Sequence, residues 1–177
     1  MAADAARGQR LIHAALPALQ LLGAAWTLPN TLLGLVAGIA GLARGARMAW
    51  RPRERAIVFD RYPWGPGGAL TLGNTILHTG DSLDGRCHTY AHRAGLCVEP
   101  QVTLADHERA HVFQYMVLGP LFLPVYFGFG GIGVRNRFER AADRYAATGR
   151  GWWPWNMSAE GRAGKAADER QDRFTDR

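Results

Sequence analysis

The chain has 177 residues, 47% of them hydrophobic and 20% charged, with 22 glycines and 9 prolines in no periodic order. That composition excludes a largely disordered chain, a collagen-like chain and a repeat array. The 21 basic against 15 acidic residues give a net charge of +6, and Lys165 is the only lysine. A surplus of this kind suits either nucleic acid or an anionic membrane face.

The distribution of charge favours the membrane. A short polar stretch (residues 1–10) is followed by Leu11 to Ala43, which contains no charged side chain apart from a neutral His13. A bilayer-spanning helix needs about 20 apolar residues, so the run exceeds one span and falls short of two. Pro17 and Pro29 divide it, and Trp26 precedes the Thr27-Leu28-Pro29-Asn30 break, where Asn30 is placed to cap a second helix. Two arrangements follow: a kinked span over about Ala18 to Ala43, or a hairpin that turns near Trp26 to Asn30. The run is too long for the core of a cleaved signal peptide. Arg44, Arg47, Arg51, Arg53 and Arg55 follow it, whereas Arg7 and Arg10 precede it. This bias places the following segment on the cytoplasmic side. No nucleic-acid recognition motif accompanies the charge, so nucleic acid is not an expected partner.

Residues 44–157 form the expected body of the protein. Residues 56–60 and 69–78 are β-branched and aliphatic and predict strands, joined by a linker rich in Pro and Gly. A loop is expected from Thr79 to about Val102. Thr103 through Asp106 resembles a capping box and predicts a helix to Leu118, stopped by Gly119-Pro120. The uncharged stretch 112–134, with two prolines and five glycines, predicts a broken, interfacial or re-entrant segment, or core. A last helix is predicted over Arg137 to Thr148, with Asn136 as N-cap and Gly149 as terminator. Trp152, Trp153 and Trp155 suit either a headgroup-level belt or a core edge. The polar tail 158–177 is expected to be disordered. The fold class is therefore α+β: a membrane helix or helical hairpin, a small β-sheet and two helices that carry the chemistry.

Those helices hold the informative residues. His107-Glu108-Arg109-Ala110-His111 is H-E-x-x-H; about 0.007 such matches are expected by chance in a chain of this composition. Imidazoles four apart share one helical face and can grip one Zn²⁺, with Glu108 beside it as proton acceptor. Three protein ligands complete a catalytic zinc site. Glu139 and Asp143 are four apart on the later helix. A metal ligand role for Glu139 and a hydrogen bond from a ligand histidine to Asp143 would relieve their repulsion. The alternative is a capping box from Asn136 to Glu139 and surface pairs from Asp143 to Arg140 or Arg144.

H-E-x-x-H followed on a later helix by E-x-x-A-D resembles the gluzincin zinc metallopeptidases, and most of all their membrane-embedded branch, which includes the CAAX prenyl protease and HtpX. The resemblance covers about Ala69 to Ala147. It implies zinc held by His107, His111 and Glu139, Glu108 as general base, Asp143 behind a ligand, and peptide or protein as substrate. It also implies that residues 69–78 supply a substrate-pairing edge strand. Gluzincins add a His, Tyr or Arg after the glutamate helix to stabilise the oxyanion; no His follows His111, which leaves Tyr145, Arg144 and Arg150. The competing expectation is a non-enzymatic membrane protein in which the same residues form a structural zinc site or a polar network.

Four further residues, Cys87, His88, His92 and Cys97, could hold a second zinc, although their spacing matches no familiar site and two free thiols is the plainer reading. A Cys87–Cys97 disulfide would require an oxidising compartment, against the cytoplasmic orientation. His78 is placed either near the site or simply at a strand end. Asn156-x-Ser158 fits a glycosylation acceptor, which the expected lack of a cleavable signal discounts.

Overall fold

The computed structural model describes residues 16–65, 67–96 and 101–155. The polar N-terminus, His13, Cys97, Asn156 and the tail 158–177 lie outside them. Within them the fold is mixed α and β. Helix α1 (Leu16–Trp26) is followed by α2 (Leu28–Leu42), bent from it by 65°. The bend falls at Thr27, where Pro29 sits in the first turn of α2 and needs no amide partner. A bend of this size fits a broken span or a re-entrant loop. Asn30 does not cap α2, as the sequence suggested; Thr27 holds that position, and Asn30 is buried inside the helix. Its Nδ2 donates to the Gly119 carbonyl at 2.9 Å.

The buried residues of α2 are Asn30, Gly34, Gly38 and Gly41. A Cβ on Gly38 would lie 2.3 Å from the Phe59 ring, and one on Gly34 would lie 2.6 Å from Thr75. The glycines therefore let the helix backbone rest directly on a sheet. Strands β1 (Arg47–Arg51), β2 (Ala56–Asp60), β3 (Ala69–Leu72) and β4 (Thr75–His78) form that sheet in the order β1-β2-β4-β3. The β1–β2 and β3–β4 pairs are antiparallel, and β2–β4 is parallel.

Two expectations are corrected here. The arginine-rich segment after residue 44 is not a plain charged flank, because Arg47-Met48-Ala49-Trp50-Arg51 pairs with β2. Residues 69–78 are not one strand but a hairpin, with Leu72 opposite Thr75. Gly73 takes the positive φ of 63° that a two-residue hairpin turn requires. Thr31 of α2 accepts the Asn74 amide on its hydroxyl at 2.9 Å, which docks this turn on the helix.

The expected loop 79–102 also holds short elements: β5 (Arg86–Cys87), α3 (Tyr90–Arg93) and β6 (Val102–Thr103), with β5 and β6 paired. Helix α4 (Leu104–Leu118) follows; Thr103 holds its N-cap position but makes no side-chain cap bond, so the capping box is not formed. A 3₁₀ turn (Gly119–Leu121) leads into α5 (Phe122–Gly128). Prolines 120 and 124 do not break this path. Pro120 lies at the start of the 3₁₀ turn and Pro124 in the first turn of α5, where no helical amide bond is lost. Leu104–Gly128 thus reads as one run of 25 residues whose most apolar 18-residue window has mean hydropathy 1.3, long and apolar enough to cross a membrane. Part of it is protein core, since 44% of its most apolar window is buried.

Helix α6 (Arg137–Thr148) has the predicted ends: the Asn136 side chain accepts from the Phe138 amide, and Gly149 is left-handed at φ 71°. Between the sheet and α4 lie Val58, Ile76, Leu83 and Val112. Tyr115, Phe122, Tyr126 and Phe138 form a second, aromatic cluster between α4, α5 and α6. Trp152 packs on Phe113 and Trp155 on Phe129 and Phe138, so these tryptophans line a core edge.

Candidate metal centre

Helices α4 and α6 face each other through polar side chains. Residues His107, Glu108, His111 and Gln114 recur at three- and four-residue spacing on α4, and all are buried. Opposite them α6 buries Glu139 and Asp143. The Nε2 atoms of His107 and His111 are 3.2 Å apart, and Glu139 Oε2 lies 3.1 Å from the first and 3.4 Å from the second. These three buried residues are the one group of metal-ligating side chains of this kind among the described residues, and they could hold a metal ion.

The outer faces of both rings fix what the inner faces present. His107 Nδ1 lies 3.0 Å from Asp143 Oδ1, and a carboxylate can only accept, so that nitrogen donates. His111 Nδ1 lies 2.8 Å from Gln114 Oε1. The Gln114 amide is oriented in turn, because its Nε2 donates to the carbonyls of Phe138 at 3.2 Å and Trp152 at 2.8 Å. With both Nδ1 atoms donating outward, both Nε2 atoms turn inward to meet Glu139 Oε2. Three basic atoms converge, and only a shared cation, a proton or a metal ion, satisfies them. Burial pushes the Glu139 carboxyl up, but the adjacent His111 and His107 rings outweigh it and hold it well below the usual carboxylate range. The other Glu139 oxygen, Oε1, accepts from the Tyr126 hydroxyl.

Glu108 points to the same place from the next position on α4. Its Oε2 accepts from the Thr71 hydroxyl of β3 at 2.7 Å. A cavity of about 100 Å³ opens beside the cluster, lined by Thr71, Tyr90, Glu108, Tyr126 and the three ligand candidates. β3 is an outer strand of its sheet and forms one wall of this cavity. The Tyr90 phenol is pushed up to about 12, first by burial and then by the nearby charges of Glu139 and Glu108, so it is a neutral donor at physiological pH. The Tyr90 backbone amide donates to Asp143 Oδ2 at 3.1 Å.

The structure therefore brings His107, His111, Glu139, Glu108 and Asp143 together, and Asp143 faces His107 rather than Arg140 or Arg144. It does not bring in Tyr145, Arg144 or Arg150, none of which lines the cavity. Arg144 turns away to the carbonyls of Gly151 and Trp153, and Tyr145 packs edge-on against Phe113. Tyr90, Tyr115 and Tyr126 are the tyrosines that line the cavity. His78 is also elsewhere, bonded through Nδ1 to Asp60 at 2.7 Å. The His88 and His92 rings stack with centroids 4.2 Å apart, burial pushes the Cys87 thiol up, and Cys97 lies outside the described residues.

Thr71 and Gln114 went unrecognised in the sequence. Gln114 carried a signal, since it lies three residues after His111 on the same face. Thr71 carried none, because its partner is 37 positions away.

No protein-family model, curated protein or solved structure matches the chain. The chemistry of the site itself has to carry the functional reading.

Proposed function

We propose that the protein is a membrane-associated zinc metallopeptidase-like protein of the gluzincin pattern, with His107, His111 and Glu139 as metal ligands. The observation that carries this is the triangle of donor atoms, with edges of 3.1, 3.2 and 3.4 Å. Nitrogen and oxygen donors about 2.0–2.1 Å from a tetrahedral zinc ion lie about 3.3 Å apart. Two imidazoles and one carboxylate also match zinc better than the oxygen-only sets that calcium and magnesium prefer.

Zinc held there would supply Lewis acidity toward a carbonyl oxygen and toward water. The chain's own residues supply the rest. Thr71 occupies Glu108 Oε2, which leaves Oε1 to take a proton from the attacking water and to return it to the leaving amine. Asp143 and Gln114 hold the two rings with Nε2 inward, and Tyr126 holds Glu139 by its outer oxygen. The Tyr90 phenol supplies a hydrogen-bond donor over the cavity. The outer edge of β3 is suited to pairing with an extended peptide, which would run past Glu108.

Membrane association is supported by the orientation of α2. Its buried face is three glycines and Asn30, whereas Leu33, Val36 and Ile39 are 61%, 69% and 58% exposed. A helix that packs through small residues and turns its large apolar side chains outward is suited to lipid. The five arginines after residue 43 favour a cytoplasmic position for the site.

Zinc content and peptide hydrolysis test the proposal. Wild type should carry one zinc per chain, His111→Ala none, and Glu108→Gln one zinc without hydrolysis of a quenched-fluorescence peptide library. A zinc-loaded wild type with no hydrolysis of any peptide would leave a structural site and remove the peptidase.

A further inference from the structure

A second, larger cavity lies on the other side of α4, about 640 Å³ in volume, between that helix and α1. Its walls include Leu19 and Leu22 of α1, Phe113 and Met116 of α4, and Trp152. α1 crosses α4 at Gly23, where a Cβ would lie 2.9 Å from Met116, so the helices touch there. Leu19 and Leu22 line the cavity although they are 61% and 67% exposed, which means that it opens outward along α1.

One charged residue lines this apolar space: Arg55. It is half-buried, with its guanidinium 5.8 Å from the centre of the Phe113 ring. The backbone holds it in place, at φ 55° with its carbonyl accepting from Asn74 Nδ2 at 2.8 Å. No carboxylate pairs with it among the described residues. Nearby acids are already committed, Glu54 to Arg51 and Asp106 to Arg53 and Arg109. Arg109 shares the Phe113 ring at 5.3 Å, and its buried Nε has no hydrogen-bond partner. Arg55 is therefore the one charged side chain on the cavity wall among the described residues, and Arg109 adds a second guanidinium at the Phe113 ring that forms part of that wall.

We infer that this cavity is a binding site for one anionic phospholipid, with an acyl chain between α1 and α4 and the phosphate on Arg55. A volume of this size is ordinary for a ligand site. Left empty, its lining would forfeit dispersion contacts, and water would find few polar partners there. A hydrocarbon chain fills the apolar part, and a phosphate group answers the unpaired guanidinium. The inference rests on the membrane part of the proposed function and not on the metal chemistry.

Native mass spectrometry of the detergent-purified full-length protein tests it. The protein is incubated with equal amounts of phosphatidylglycerol and phosphatidylcholine of identical chains. Wild type should retain phosphatidylglycerol about fivefold over phosphatidylcholine, the factor expected of one well-placed basic residue. Arg55→Gln should bring the ratio to about one, and Arg55→Lys should preserve most of it, which separates charge from a folding defect. Val117→Trp, which fills the cavity from α4, should lower retention of both lipids. Equal retention of the two lipids by wild type, an unchanged ratio in Arg55→Gln, or undiminished binding in Val117→Trp would each overturn the site. None of these readouts uses zinc content or hydrolysis, so a failed peptidase leaves the result intact.

Discussion

Helices α2 and α4 are each 15 residues long and both pack against the same sheet, yet they distribute their residues in opposite ways. α2 buries glycine and shows leucine, valine and isoleucine outward. α4 buries two histidines, a glutamate and a glutamine alongside Ala105, Ala110, Val112 and Tyr115. α2 breaks the usual rule that large apolar residues go in, and α4 breaks the rule that polar residues go out. In α2 the rule fails because close backbone contact with the sheet leaves room for hydrogen only. In α4 it fails because the buried groups satisfy one another around a cation site. An apolar stripe alone would therefore have assigned the wrong face to α2 and found only the apolar half of what α4 buries.

The contrast can be broken at either helix. The largest effect is expected at α4, where removing a metal held by His107, His111 and Glu139 would leave three basic atoms buried against one another. Chelation should lower stability by about 4 kcal/mol when the metal had been present at about a thousandfold its Kd, with a drop in melting temperature of about 10 °C. An unchanged melting curve would mean that the cluster is a proton-bridged network.

Next comes the inner face of α2. Gly38→Leu must displace the Phe59 ring, since even a Cβ would lie 2.3 Å from it, and the cost expected is about 3 kcal/mol. Denaturant unfolding in detergent measures it. A smaller effect is expected from Asp143→Asn, which disturbs the Nδ1 side of His107 and should weaken zinc binding by about 10- to 100-fold in a competition titration. The smallest belongs to the outer face of α2: Val36→Ser should change folding stability by no more than about 0.5 kcal/mol. A large loss there would mean that this face is covered by protein rather than by lipid.

The ends of α4 and α6 were readable because their signals are local: Gly119-Pro120 after one helix, Asn136 and Gly149 around the other. So were the five residues of the H-E-x-x-H and E-x-x-A-D patterns, whose spacing follows the helical turn. The 69–78 hairpin was hidden because Gly73-Asn74 lies inside an otherwise continuous aliphatic run. β1 was hidden because its arginines read as a membrane flank, although Met48 and Trp50 already alternate with them. Thr71, Tyr90 and Tyr126 reach the site from other elements, through tertiary packing that no local pattern records. The 65° bend at Thr27 is an angle that no residue spacing fixes.

Asp143 has two oxygens and uses both: Oδ1 faces His107 Nδ1, and Oδ2 accepts the Tyr90 amide. One carboxylate thus latches the first helix of the site to the segment that roofs it. Whatever pins the His107 ring also pins Asp143, and through it the start of α3. The exchange of the Tyr90 amide with heavy water should therefore slow when the site is filled and quicken when it is emptied. The roof of the cavity carries its own gauge of what lies beneath.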